Sequence, residues 1–263
     1  MNLSKALRRA TLILEEAGVE SSRVDAELLA AYVIGVPRDK LLLVSTLDDE
    51  VRYDELIGQR ARRIPLQHLT GEAPFLGLTL RVGPGVFIPR PETELLAQWG
   101  IAHAGMAVVD LCSGSGALAL AIKQWCPQAT VYAVENSPDA LKWLRINGSA
   151  KIEIIEGDIR TAPVPGPVDL VVCNPPYVPL AAPVAEEVRF DPPSAVFGGA
   201  DGLELIPAVI TRAAALLRPG GWFGMEHDET HALTDLLTAD FEDVSTMDDL
   251  AGRPRFVTAR RKA

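Results

Sequence analysis

Val108-Val109-Asp110-Leu111-Cys112-Ser113-Gly114-Ser115-Gly116 is the stretch from which the fold of this chain can be read. A short β-branched run ends in an acid, turns through small residues and passes into Ala117-Leu118-Ala119-Leu120-Ala121-Ile122, so it predicts a strand, a tight loop and a helix. Small residues in such a loop let a ligand approach the backbone closely, and the first N–H groups of the helix point at it. Gly114 and Gly116 are only two of the three glycines of a dinucleotide-binding loop, and Asp110 stands before them at the strand end. An acid placed there suits the ammonium of an amino-acid moiety, through charge-assisted hydrogen bonds.

Outward from this loop the chain alternates. Strands are expected at 106–111, 129–135, 151–155, 168–173 and 221–226, with helices near 115–125, 137–147 and 203–217, the last closed by Arg218-Pro219-Gly220-Gly221. This alternation is the mark of a parallel sheet covered on both faces. Two further strands, Phe241 to Met247 and Arg255 to Arg260, flank a turn at Gly252 to Pro254 and would put one strand antiparallel. The expected fold class is therefore α/β, a Rossmann-like domain with a seven-stranded mixed sheet.

Upstream the pattern is helical. Leu3, Leu7, Ala10, Leu14 and Ala17 recur at helical spacing until Gly18, a second helix runs from Ser21 or Ser22 to Gly35, and short pieces follow at Arg38 to Leu43 and Asp49 to Arg63. From Ala73 to Val82 apolar residues alternate around Gly77 as in a hairpin, and Gly83-Pro84-Gly85 punctuates it. The expected division is a helical domain over 1–72, a hairpin linker over 73–85 and the α/β domain over 86–263, whose first helix is expected over Glu92 to Ala104.

Two further acids fall at strand ends. Glu135, 19 residues after Gly116, can accept from ribose hydroxyls. Asp158 can accept from an adenine amino group, with Ile159 as an apolar wall. With Asp110 they describe a site for S-adenosyl-L-methionine, leaving S-adenosyl-L-homocysteine as product. The run Val168-Asp169-Leu170-Val171-Val172-Cys173 is closed abruptly by Asn174-Pro175-Pro176-Tyr177, which leaves this tetrapeptide presented at the sheet edge. A planar NH2 group is a poor nucleophile, and the side-chain oxygen of Asn174 with the carbonyl of Pro175 can fix its two N–H bonds while Tyr177 lies against its plane.

The formal charge is −10, and the excess acid lies almost wholly after residue 85, which argues against broad attraction to nucleic-acid phosphate. Arg60, Arg62 and Arg63 form a basic cluster that either meets a charged partner or is the solvated end of a helix. Cys112, Cys126 and Cys173 have neither disulfide nor zinc spacing and suit a reducing compartment. His227 and His231, four apart, could share a helix face but have no third ligand, so no metal is expected. No apolar run approaches membrane-spanning length, and the start of the chain lacks the apolar core of a signal peptide, so a cytoplasmic location is expected.

With these residues in view, the chain resembles the HemK/PrmC family of protein-(glutamine-N5) methyltransferases. The likeness rests on the helical N-terminal region, Gln67-His68-Leu69-Thr70-Gly71-Glu72, Phe87-Ile88-Pro89-Arg90-Pro91-Glu92-Thr93-Glu94, the loop from Asp110 to Gly116, and Asn174 to Tyr177. It implies a class I methyltransferase fold. It also implies transfer of methyl to the glutamine of the Gly-Gly-Gln motif in class 1 peptide chain release factors, gripped by the helical domain. Asn174, Pro175 and Tyr177 are then catalytic; Asp110, Cys112, Ser113, Gly114, Ser115, Gly116, Glu135, Asp158, Ile159 and Asn174 hold the cofactor; Asn174, Pro175, Pro176, Tyr177, Phe87 and Arg90 meet the substrate. Arg90 reads equally as a linker charge. Cys112 stands where this family usually has glycine, and Glu135 where aspartate is frequent.

A monomer without a stable nucleic-acid partner is expected. Two other readings remain open on the residues alone. An N6-adenine methyltransferase of DNA or RNA could use the same Asn-Pro-Pro-Tyr geometry on a flipped base, and an adaptor that binds a partner without catalysis would need no donor site.

Overall fold

The computed structural model describes residues 1–263, which divide into two compact units. The first comprises Met1–Glu72 together with Ala185–Phe190. It holds α1 (Leu3–Glu16), α2 (Ser22–Ile34), a 3-10 turn at Arg38–Leu43, α3 (Glu50–Ala61) and the short α4 (Leu66–Thr70). Asn2 caps α1 by accepting from the Lys5 N–H at 3.1 Å, Asp49 caps α3 through Arg52 at 3.0 Å, and Gly35 ends α2 at φ 76°. The stripe Leu3, Leu7, Ala10 and Leu14 is buried with Leu29, Tyr53 and Leu56, as the spacing in α1 predicts.

The basic cluster divides between the two expectations: Arg62 is exposed at the end of α3, and Arg60 and Arg63 pair with acids of the chain itself. Arg60 is buried, its Nε donating to Asp25 at 2.7 Å and its Nη2 to Glu187 at 2.8 Å, while Arg63 forks onto both oxygens of Glu187 at 2.7 Å. Charges taken out of water in this way need partners, and the segment from Ala185 to Phe190 supplies one from more than 120 positions away.

The second unit is Ala73–Val184 with Asp191–Ala263. The hairpin β1 (Glu72–Phe75) and β2 (Leu78–Arg81) turns at Leu76 and Gly77, both at positive φ, the two-residue turn that matches strand twist. Phe75, Leu80 and Val82 lie in one core with Leu96, Leu120 and Leu144, so the stretch expected as a linker contributes to the packing of this unit. Then follow α5 (Thr93–His103), β3 (Ala107–Leu111), α6 (Ala117–Trp125), β4 (Thr130–Glu135), α7 (Pro138–Gly148), β5 (Glu153–Glu156) and β6 (Val168–Cys173). The chain closes with α8 (Pro193–Val196), α9 (Ile206–Leu216), β7 (Leu217–Glu226), α10 (Thr234–Leu237), β8 (Phe241–Asp248) and β9 (Pro254–Arg261).

The seven strands run in the order β5-β4-β3-β6-β7-β9-β8, parallel except for β9, which is antiparallel to both its neighbours. Alternate residues of the central strands enter two cores: Val108 and Val172 pack with α5, α6 and α7, whereas Val109 and Val171 pack with α9 and α10. A sheet buried on both faces explains why its strands read as continuous apolar runs. β7 begins earlier than expected, because Leu217 already pairs with Val168 and the Pro219-Gly220 segment is absorbed as a bulge. The consequence for function is at the other end of the strands. With Leu111 opposite Cys173, Glu135 opposite Glu156 and Cys173 opposite Met225, the carboxyl ends of five strands finish at one edge.

Replacing Arg60 by Ala strands Asp25 in a buried site and should cost about 3–5 kcal/mol, read as a lowered denaturation midpoint. Burial would raise the Glu187 carboxyl, but the hydrogen bonds from Arg63 and Arg60 prevail and hold it at about 2. The stability it contributes is present above the ordinary glutamate range and is lost as pH falls toward 2; acid titration of Glu187→Gln should lack that loss.

Candidate active site

Asp110, next to last in β3, is 1% exposed. Its Oδ2 accepts from the Ala119 N–H at 3.2 Å, and its Oδ1 is buried with no partner. Burial pushes the carboxyl up to about 7 against the hydrogen bond from Ala119, while the Ser113 hydroxyl donates to the Asp110 main-chain carbonyl at 2.9 Å. A buried carboxylate oxygen without a partner, on a residue that lines a cavity, is satisfied best by a cationic donor. The loop beyond it is left-handed at Cys112 (φ 62°), Gly114 (φ 55°) and Gly116 (φ 88°). At Gly116 a Cβ would also sit 2.8 Å from Leu144, so the turn into α6 has no room for a side chain.

Glu135 ends β4 with its carboxylate already engaged. Oε2 accepts from Gly114 N–H at 2.7 Å and Oε1 from Asn136 and Ser137 at 2.9 and 2.8 Å, which leaves acceptor capacity chiefly on Oε2. This acid shapes the loop as well as facing the cavity. Asp158 follows β5 and is held by Arg160 through its N–H at 2.8 Å and its guanidinium at 2.9 Å. Ile159 beside it is buried.

Asn174 follows β6 directly. Its Nδ2 donates to Thr93 Oγ1 at 3.2 Å; Thr93 donates to Glu226 Oε2 at 2.7 Å, and Tyr177 donates to Glu226 Oε1 at 2.6 Å. Glu226 ends β7 fully buried, and burial raises its carboxyl despite these two bonds. Arg90 pairs with Asp191, which also accepts from the Ile88 N–H at 3.0 Å, and the guanidinium lies 4.9 Å from the Phe87 ring centroid.

These residues share one cavity of about 210 Å³, several times the roughly 30 Å³ a water occupies and so room for an organic ligand. Asp110, Cys112, Ser113, Gly114, Ser115, Glu135, Asp158 and Ile159 line one part; Phe87, Thr93, Asn174 and Pro176 line another. Gly116, Pro175, Tyr177 and Arg90 are adjacent in sequence or contact to these residues without being among those that line the cavity. Tyr177, expected against the substrate plane, has its hydroxyl committed to Glu226, and Arg90, expected against the substrate or as a linker charge, is committed to Asp191. His227 and His231 share no helix; their rings stack 6.4 Å apart in a loop.

Thr93, Asp191 and Glu226 were missed from the sequence. Glu226 had a usable signal, since Trp222-Phe223-Gly224-Met225-Glu226 is an apolar strand ending in an acid, just as at Asp110 and Glu135.

Comparison with known proteins places these features in a family. Residues 5–71 match the PrmC N-terminal domain and residues 78–189 the methyltransferase small domain. A release factor glutamine methyltransferase of Mycolicibacterium smegmatis is 49% identical over 99% of this chain and 98% of its own length. Those of Streptomyces coelicolor and Deinococcus radiodurans are 48% and 40% identical, each over 99% of both chains. Among solved structures, a Thermus thermophilus 16S rRNA N2 G1207 methyltransferase in complex with AdoMet and guanosine superposes with TM-score 0.56 at 25% identity, covering 73% of this chain and 50% of that one. A Pyrococcus furiosus methyltransferase shares the fold at TM-score 0.58 and 17% identity, over 78% of this chain and 99% of its own.

The left-handed backbone at Cys112 carries a side-chain penalty of order 1–2 kcal/mol that glycine avoids. Cys112→Gly should therefore raise stability by about 1 kcal/mol after the entropy cost of glycine, measured as an increase in Tm.

Proposed function

This chain belongs to the release factor glutamine methyltransferase family, and from that premise we propose that the cavity at the carboxyl ends of β3, β4, β5 and β6 joins a donor site to a glutamine site. The enzyme transfers a methyl group from S-adenosylmethionine to the side-chain amide nitrogen of a release-factor glutamine. The observation that supports the site assignment is that Asp110, whose buried Oδ1 has no partner, and Asn174 line the same cavity from the ends of adjacent parallel strands.

Bound S-adenosylmethionine supplies an electrophilic methyl group. Asp110 fits its ammonium, the free capacity of Glu135 Oε2 a ribose hydroxyl, and Asp158 with Ile159 the adenine edge and face. Cys112, Ser113, Gly114 and Ser115 keep the wall low where the amino-acid end lies, and Gly116 starts the helix behind it. The amide nitrogen of glutamine is weakly nucleophilic because its lone pair is delocalised. Asn174 Oδ1 and the Pro175 carbonyl accept its two N–H bonds, which aims the nitrogen and favours the charge that grows on it. No strong base is required, since the nitrogen becomes acidic as it is alkylated.

Phe87, Pro176 and Asn174 form the substrate side, braced by Tyr177 and Arg90. The glutamine is that of the Gly-Gly-Gln motif in class 1 release factors, and the helical unit over 1–72 grips the rest of that protein. The chain works as a cytoplasmic monomer; no helix in it is long and apolar enough to cross a membrane. The acid excess after residue 85 disfavours the DNA or RNA alternative.

Incubation with a release factor and methyl donor should add one methyl to a single glutamine-bearing peptide by mass spectrometry; transfer to DNA and none to the release factor would refute the reading. Asn174→Ala should lower transfer by about 100- to 1,000-fold with cofactor affinity nearly unchanged. Cofactor binding should strengthen as pH rises through about 7, because Asp110 is neutral below that value and pairs an ammonium only when ionised. Calorimetry in buffers of different ionisation enthalpy should show proton release on binding below pH about 7, and neither effect with 5′-methylthioadenosine, which lacks the amino-acid end. Asp110→Asn should weaken binding about 10- to 100-fold and flatten the pH dependence.

A further inference from the structure

The two ends of an asparagine carboxamide are almost the same size, yet only the oxygen can accept from a substrate N–H. We infer that Glu226 and Thr93 are positioning residues that determine which end of Asn174 faces the substrate. This rests on the role given to Asn174 above.

A carboxylate only accepts, so the single hydroxyl proton of Thr93 is committed to Glu226 Oε2 at 2.7 Å. Thr93 Oγ1 can then offer Asn174 lone pairs alone. It receives the Asn174 Nδ2–H at 3.2 Å, and the opposite end, Oδ1, turns toward the cavity as an acceptor. A flipped carboxamide would set Oδ1 against an oxygen with no proton to give, and would aim two donors at a substrate that also presents donors.

Thr93 is 3% and Glu226 1% exposed, so bulk water does not compete for these positions. The other oxygen of Glu226 takes the Tyr177 hydroxyl at 2.6 Å. One buried carboxylate thus holds both ends of Asn174-Pro175-Pro176-Tyr177, one through Thr93 and one directly. Its placement comes from three elements: β6 leads into Asn174, β7 ends at Glu226 with Met225 opposite Cys173, and Thr93 begins α5.

The test is a set of variants of the full chain, assayed for methyl transfer to a release factor at saturating donor and for donor affinity by titration. Thr93→Val keeps the shape and removes the hydroxyl. It should lower kcat about 10- to 100-fold while donor Kd stays within about twofold, and Thr93→Ser should recover kcat to within about threefold of the parent. Glu226→Gln places a donor beside Thr93, frees the Thr93 proton to face Asn174, and should lower kcat to a similar extent. On an Asn174→Ala background, followed by single-turnover transfer of labelled methyl, Thr93→Val should cause no further loss, because the group it positions is gone. Parent-like kcat in Thr93→Val, a loss of donor affinity that accompanies the fall in kcat, or an equal loss on both backgrounds would each overturn the inference. Parent-like transfer by Asn174→Ala itself would instead overturn the assignment of Asn174.

Discussion

The parallel register of β3 on β6, with Leu111 opposite Cys173, is the constraint on which the rest of the α/β unit depends. It brings the loop after Asp110 and the turn after Cys173 to the same edge, on neighbouring strands about 4.8 Å apart. A slip of one residue would turn every side chain of a strand to the opposite face. Here both faces are buried in separate cores, Val108 and Val172 on one and Val109 and Val171 on the other, so the side chains of each face must match their own helices. The packing of helices on both faces of the sheet therefore positions the groups that line the cavity.

Three strands of this sheet carry a buried acid at or near the carboxyl end, and the protein compensates their burial in three ways. Asp110 keeps an oxygen without a partner, and burial raises its carboxyl to about 7. Glu135 is surrounded by three backbone N–H groups, which bind it into the very loop it faces. Glu226 accepts from two side-chain hydroxyls and so becomes a hub between α5 and the Asn-Pro-Pro-Tyr turn. The residue type is nearly constant while the role changes, because the role is set by which donors the neighbouring elements bring within reach. In the helical unit the same principle is seen with the sign reversed: buried Arg60 is balanced by Asp25 and by Glu187.

Much of the architecture was legible because it rests on short-range patterning. Continuous apolar runs between helical segments correctly foretold a parallel sheet, and the Gly252 to Pro254 turn foretold the antiparallel pair at its end. Helix ends at Gly35 and Asp49 followed from backbone preferences that act within a single turn. Two stretches resisted this approach. The hairpin read as a connector because its alternation is local, whereas its burial against Leu96 and Leu144 is not. The arginines near residue 60 left a charged partner and a solvated helix end equally open because nothing nearby in sequence identifies Glu187 as their partner.

Local chemistry in the chain was thus enough to mark the donor loop, the acids at strand ends and the exposed carboxamide, since each depends on residues within a few positions of one another. What the folded arrangement alone decided is how those groups are oriented and charged. The fork of Thr93 and Tyr177 on Glu226 joins positions more than 130 residues apart, and the orphaned oxygen of Asp110 exists only once α6 has closed over it. Hydrogen-bond direction and desolvation are properties of surroundings in three dimensions, and neither is written in the spacing of residues along the chain.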